Sequence, residues 1–147
     1  MKIRPYRPAD LEEMVALFCE TVRRVNARDY APAQLEAWAS GADLARWRLS
    51  LQGHRCLVAL DGDVIVGFAD MDRRGYLGRL FVHADFQRQG IATALCQQLE
   101  QAAPGRIYTH VSITARPFFE KRGYMIVRKQ EVVRAGVTLE NFLMEKC

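Results

Sequence analysis

The spacing of apolar positions changes several times along the chain, and each change marks an element. Leu11, Met14, Val15, Phe18 and Val22 recur at steps of three and four, the single stripe of an amphipathic helix. That helix starts at Pro8-Ala9-Asp10, with Asp10 as N-cap and Glu13 three residues on, and fades at Asn26. Lys2 to Tyr6 before it reads as a short strand. Pro32 stands where a first helical turn begins, and Leu35 and Trp38 give a short helix ending near Ser40-Gly41. A further helical piece, Asp43 to Leu51, carries Leu44, Trp47 and Leu51. From Arg55 the period shortens. Cys56 to Leu60 and Val64 to Phe68 flank Asp61-Gly62, a hairpin signal whose second arm extends as far as Asp72.

Arg73-Arg74-Gly75 then turns into a strand over Tyr76 to Val82, carried by Leu77, Leu80, Phe81 and Val82. Ile91, Leu95, Gln98, Leu99 and Ala102 return to helical spacing and stop at Pro104-Gly105. Ile107 to Val111 is another strand, and Ala115 to Lys121 a short helix ending at Arg122-Gly123. Tyr124 to Val127 and Val137 to Met144 close the chain, with Ala135-Gly136 at their turn. The order is β-α-α-β-β-β-α-β-α-β-β. Three antiparallel strands followed by a β-α-β crossover put antiparallel and parallel pairs in one sheet. The expectation is an α/β fold with a mixed sheet of about seven strands, helices on both faces, and a single domain over residues 1–147.

Composition narrows the chemistry. Half of the residues are apolar and 26% charged, ordinary for a globular chain. The net charge of +4 is spread along the chain, with only pairs such as Arg23-Arg24 and Arg73-Arg74. That argues against a nucleic-acid surface and favours an anionic ligand. Cys19, Cys56, Cys96 and Cys147 lie far apart in no metal-ligand spacing, so free thiols and no metal are expected. The N-terminal residues carry no apolar run of a signal peptide, and no stretch approaches the roughly 20 apolar residues of a membrane span. A cytoplasmic protein without membrane partners is the expectation.

The junction between the strand ending at Val82 and the helix opening at Gly90 is where a phosphate would sit. A helix start leaves several amide N–H groups free at the positive end of its dipole, and a glycine lets a ligand approach them. Arg88, with Gln87 or Gln89, adds side-chain donors. The residues alone leave an ordinary strand-to-helix turn open as the alternative.

Three motifs in order carry a resemblance to the GCN5-related N-acetyltransferase superfamily over essentially the whole chain. Gln87-Arg88-Gln89-Gly90-Ile91-Ala92 is similar to its Gln/Arg-x-x-Gly-x-Gly/Ala signature between the fourth strand and the third helix. Leu80-Phe81-Val82-His83-Ala84 resembles Leu-x-Val-x-Pro, with alanine in the proline's place. Ser112 to Tyr124 resembles Asn-x-x-Ala-x-x-Phe-Tyr-x-x-x-Gly-Phe. Asp29-Tyr30, the spacing to Trp38, and Gly136 to Phe142 are similar to a bacterial subgroup of small-molecule acetyltransferases.

The resemblance implies acetyl-coenzyme A as cofactor, bound where the strands splay apart after the fourth. Amides of Gln89, Gly90, Ile91 and Ala92, with Gln87 and Arg88, would hold its pyrophosphate. Amides of Phe81 and Val82 would bond the pantetheine arm and polarise the thioester carbonyl. Ser112, Ala115, Phe118 and Phe119 would line the far side. Many members carry a tyrosine that protonates the leaving thiolate, and here that position is Phe119. Histone-type members place a glutamate base on the fourth strand, and here that position is Tyr76.

Tyr76 and His110, which lies on the next strand, are therefore the catalytic candidates, with packing alone as each one's alternative. His83 and His54 are expected to be structural. Tyr30 and Trp38 are candidates for the acceptor side. Glu140 and Asn141 lie near it, with packing the favoured account. The expected activity is direct transfer of an acetyl group to the amine of a small molecule, by a monomer or homodimer. A coenzyme-binding sensor with little catalysis is the second reading, because a phenyl ring donates no proton.

Overall fold

A computed structural model describes all residues 1–147. Seven strands form one sheet: β1 (Lys2–Pro5), β2 (Arg55–Asp61), β3 (Val64–Met71), β4 (Tyr76–Val82), β5 (Ile107–Ser112), β6 (Met125–Arg134) and β7 (Val137–Lys146). They lie in the order β1-β2-β3-β4-β5-β7-β6. All neighbours are antiparallel except β4 and β5, the parallel pair that the crossover requires. Five α-helices complete the chain: α1 (Leu11–Val25), α2 (Pro32–Ala39), α3 (Leu44–Leu51), α4 (Ile91–Ala102) and α5 (Arg116–Lys121). No helix is long and apolar enough to cross a membrane.

The sheet separates two cores. On one face Leu11, Met14, Phe18 and Val22 of α1 pack with Leu35, Trp47 and Leu51 of α2 and α3 against Val58, Ile65 and Phe68. On the other, Ile91, Leu95, Cys96 and Leu99 of α4 and Phe119 of α5 cover Leu57, Val66, Leu77, Val111 and Met144. Strand β2 is buried on both faces, which is why Cys56 to Leu60 reads as an unbroken apolar run.

Four sequence expectations are corrected. Asp10 stands at the N-cap position of α1, but its side chain makes no capping bond there and no capping box forms with Glu13. Asp10 ends a 3-10 turn over Pro8–Asp10, where its carboxylate accepts from the Arg7 amide at 2.8 Å and pairs with the Arg4 guanidinium. Glu13 instead accepts the Ile65 amide at 2.7 Å, tying α1 to β3 beside a register shift in the β2–β3 pair. The hairpin turn is Gly62-Asp63, because Asp61 already pairs with Val64. On α4 the buried stripe includes Cys96 in place of Gln98 and Ala102, both exposed. Strand β6 runs ten residues where four were apparent, since an edge strand with most positions exposed needs no apolar alternation. Cys56 and Cys96 are buried free thiols, whereas Cys19 is half-buried and Cys147 exposed.

Candidate active site

Strands β4 and β5 pair only at Tyr76–Tyr108 and Leu77–Thr109, and then part. The gap leaves a row of β4 backbone groups without a strand partner. His83 donates its amide to Val66 on β3 at 2.8 Å. Alternation along the strand puts the Phe81 amide on that same β3 side, and the Leu80 and Val82 amides toward the gap. The expectation of Phe81 and Val82 as the pair of donors is therefore corrected to Leu80 and Val82. The Phe81 ring turns to the opposite role, packing edge-on against Phe18 at 4.9 Å and Trp38 at 6.4 Å.

A cavity of about 980 Å³ runs through this opening from one face of the sheet to the other. Its first half is the turn before α4. Gly90 sits at φ +83° as the helix N-cap, and Arg88 at φ +62° takes the same left-handed region, which is costly for a residue with a Cβ. The first helical bond runs from the Ala94 amide to the Gly90 carbonyl at 3.0 Å. The amides of Gln89, Gly90, Ile91, Ala92 and Thr93 donate to no acceptor in the protein. Five free donors at the positive end of a 12-residue helix form an anion cradle. A Cβ built on Gly90 would meet nothing within 4 Å, so the cradle stands open.

Most of the expected cofactor residues line the cavity: Phe81, Val82, Gln87, Arg88, Gly90, Ile91, Ala92, Ser112, Ala115, Phe118 and Phe119. Gln89 does not, and only its amide remains a candidate. The Gln87 side chain is already engaged, donating to the Val82 carbonyl at 2.6 Å, so it braces the turn instead of reaching a ligand. Ser112 accepts the Ala115 amide at 3.1 Å and shapes the entry to α5. Phe119 is buried against Phe118 and Tyr124. The nearby Tyr124 hydroxyl is spent on Glu100 at 2.7 Å, and so does not replace the hydroxyl that Phe119 lacks.

The second half lies on the face covered by α1, α2 and α3. Tyr76 and His110 meet there, their rings 5.6 Å apart and nearly perpendicular, with Tyr108 stacked on the other side of Tyr76 at 5.1 Å. Burial, with Asp70 adding to it, raises the Tyr76 hydroxyl above its ordinary value. It is therefore a phenol at neutral pH, with no hydrogen-bond partner in the protein, able to donate a proton. Burial, with Arg128 and Arg134 adding to it, holds His110 below the ordinary imidazole value. Neutral His110 is able to accept one at whichever ring nitrogen carries no proton, and the Gln130 side-chain amide, 2.8 Å from Nδ1, sets which nitrogen that is.

Behind Tyr76 lies a buried polar cluster that the sequence did not suggest. Fully buried Asp70 binds Arg79 at 2.7 Å and His54 at 2.8 Å, and Arg79 reaches Ser50 at 3.0 Å while lying over the Trp47 ring. Its members are scattered over α3, β3, β4 and a loop, with no spacing to betray them.

Tyr30 and Trp38 both border the cavity, but differently. The Tyr30 hydroxyl donates to the Glu140 carbonyl at 2.6 Å and accepts the Ile113 amide at 2.9 Å. It fastens the end of β5 to β7, so its assignment as a substrate ligand is corrected to a structural one. Trp38 remains partly open to the cavity. His83 is structural as expected, accepting the Asp85 amide at 3.0 Å. Cys96 is no nucleophile, since burial pushes its thiol up to about 12.

A family model described as "Acetyltransferase (GNAT) domain" matches residues 26–146. The chain is 34% identical over 144 residues to the "Uncharacterized N-acetyltransferase YafP" of Escherichia coli (strain K12), covering 98% of this chain and 94% of that protein. The crystal structure of a GCN5-related N-acetyltransferase from Rhodopseudomonas palustris superimposes with a TM-score of 0.94 at 34% identity, covering 99% of this chain and 94% of that one. The PaiA N-acetyltransferase of Thermoplasma acidophilum, solved in complex with coenzyme A, shares the fold with a TM-score of 0.78 at 18% identity, covering 99% and 97%.

Proposed function

The chain belongs to the GNAT acetyltransferase family, and from there we propose that it moves an acetyl group from acetyl-coenzyme A directly onto the amine of a small molecule. The observation that carries this reading is the row of free amides from Gln89 to Thr93, continuous through the cavity with the opened edge of β4. The coenzyme A present in the Thermoplasma relative agrees with it. When bound, acetyl-coenzyme A supplies the acetyl group already activated as a thioester.

The chain's own residues divide the remaining work. The amides of Gln89 to Ala92, with the Arg88 guanidinium, bind the diphosphate. The Leu80 and Val82 amides orient the pantetheine arm and stand ready to stabilise negative charge on the thioester oxygen, fixed in advance by the sheet. Neutral His110 takes the proton that the attacking amine must lose, directly or through one water. The Tyr76 hydroxyl would donate a proton to the sulfur as the acetyl group passes from it to the amine. Phe119 leaves that task to Tyr76. It is also what keeps alive a second reading, a coenzyme-binding module with little catalysis.

Calorimetry with coenzyme A, followed by thiol release with acetyl-coenzyme A and a panel of amines, tests both. Binding with turnover supports the transferase. Binding without transfer to any amine favours the module, and absence of binding removes both.

A further inference from the structure

The acceptor half of the cavity carries an excess of positive charge that the reaction itself does not use. Five basic side chains border the cavity, Arg46, Arg79, Arg88, Lys121 and Arg134, against one acid, Glu140. Three of the five already have work. Arg88 sits at the cofactor turn and Lys121 ends α5, both on the cofactor side. Arg79 is held by Asp70 and Ser50. Glu140 is paired with Lys129 at 3.2 Å.

Arg46 in the first turn of α3 and Arg134 at the end of β6 remain, and neither has an acidic partner anywhere in the chain. Arg134 lies near enough for its charge to bear on both Tyr76 and His110. A second, independent feature completes the subsite. Asn141 borders the cavity on β7, paired in register with Ser112, and its buried Oδ1 accepts from nothing in the protein. A buried carbonyl oxygen left without a donor is costly, and an amine N–H would satisfy it.

Resting on the acetyltransferase reading above, we infer that the acceptor is an amine that also carries an anionic group, a carboxylate or a phosphate, held by Arg134 and Arg46 while Asn141 takes an N–H of the amine. Guanidinium groups suit both anions through paired hydrogen bonds. Two arginines without acidic partners on the cavity wall also disfavour polycationic amines, so the same charges reject as well as select.

Matched pairs of amines test this: γ-aminobutyrate against butylamine, phenylalanine against phenethylamine, O-phosphoethanolamine against ethanolamine, with spermidine as a polycation. Each is titrated into the coenzyme-loaded protein by tryptophan fluorescence and assayed by thiol release. The anionic member of at least one pair is expected to bind and react about tenfold or more better than its partner, the size of one charge-assisted contact. The carboxylate and phosphate arms show which anion is used. In Arg134→Glu that ratio falls to one or below, while Arg134→Lys keeps part of it. Equal or reversed preference in every pair, or no binding by any amine, overturns the inference. Coenzyme A affinity in the same samples keeps the two readings apart, because its loss removes the acetyltransferase reading and its retention without anion preference removes only this one.

Discussion

The two halves of the cleft are made of different materials. The cofactor half is backbone: amides of Leu80 and Val82 left free where β4 leaves β5, and amides of Gln89 to Thr93 left free where α4 begins. All come from one segment of the chain, and their direction is set by strand alternation and a helix start. The acceptor half is side chains: Trp38 from α2, Arg46 from α3, Tyr76 from β4, His110 from β5, Arg134 from β6 and Asn141 from β7. Six elements converge there, and nothing local dictates the result. A donor set by the backbone survives most substitutions, while one built from side chains changes with each. The first half suits a constant cofactor, and the second suits an acceptor that differs between relatives.

The sharpest way to break that division is at His110. Replacing it with alanine removes the group placed to take the amine's proton, a role worth roughly 100- to 10,000-fold in rate. We expect kcat to fall within that range while coenzyme A affinity, by calorimetry, stays at the wild-type value. A loss of affinity instead would join the two halves and undo the distinction. The pH profile is a second handle on the same residue. Because His110 is held below its ordinary value of 6.5, it stays neutral through pH 7. The acidic limb of kcat/KM should therefore have its midpoint below 6.5, with activity lost as the pH falls through it. That limb should vanish in the alanine variant.

The converse comes from Gly90. A valine there must adopt φ +83°, which costs an L-residue about 1–2 kcal/mol, and its branches would stand in the open cradle. Coenzyme A affinity should fall about tenfold to a hundredfold, with circular dichroism unchanged. Turnover at saturating cofactor should fall far less than in the His110 variant.

The same contrast explains what was legible in the sequence. The strand at Tyr76–Val82 and the helix at Ile91–Ala102 are legible to the residue or nearly so, since both obey strong periodicities and Gly90 marks their junction. The amides at Gly90 came with them, because free donors follow from the element boundary. Leu80 is not legible in place of Phe81, because which amides face a gap depends on register with β3, a long-range fact. Strand β6 is legible only as far as Val127, because Arg128, Lys129 and Glu131 hide an edge strand behind polar residues. Asp70, His54 and Arg79 meet only through the β3–β4 pairing and the loop after α3, so no motif announces them. Arg46 and Arg134 look like surface charges until the fold turns both toward one cavity.

Tyr76→Phe is a milder change. It deletes the hydroxyl that burial keeps protonated, and the ring still packs against Tyr108 and His110. A thiolate of pKa about 8.5 leaves moderately well unaided. A fall in kcat of about tenfold is expected, at the low end of what a positioned acid contributes, with little change in KM for either substrate. An unaltered kcat would mean that the sulfur departs without Tyr76.

Tyr30→Phe should move the chemistry least, and it decides whether the cleft's two materials are independent or share a frame. The Tyr30 ring touches the acceptor half, but its hydroxyl serves two backbone groups, the Glu140 carbonyl and the Ile113 amide. Removing it strands partly buried polar groups at the junction of β5 and β7, at a cost of about 1–3 kcal/mol. That loss should be read as a lower denaturant midpoint with an unchanged slope. If Tyr30 contacted the acceptor through its hydroxyl, KM for the amine would rise in proportion while stability held. The hydrogen bonds predict the reverse: stability falls, and the preference among amines is kept. Residue 113 follows directly on the end of β5 and residue 140 precedes Asn141, so the phenol's hydroxyl is spent on holding the acceptor wall in place.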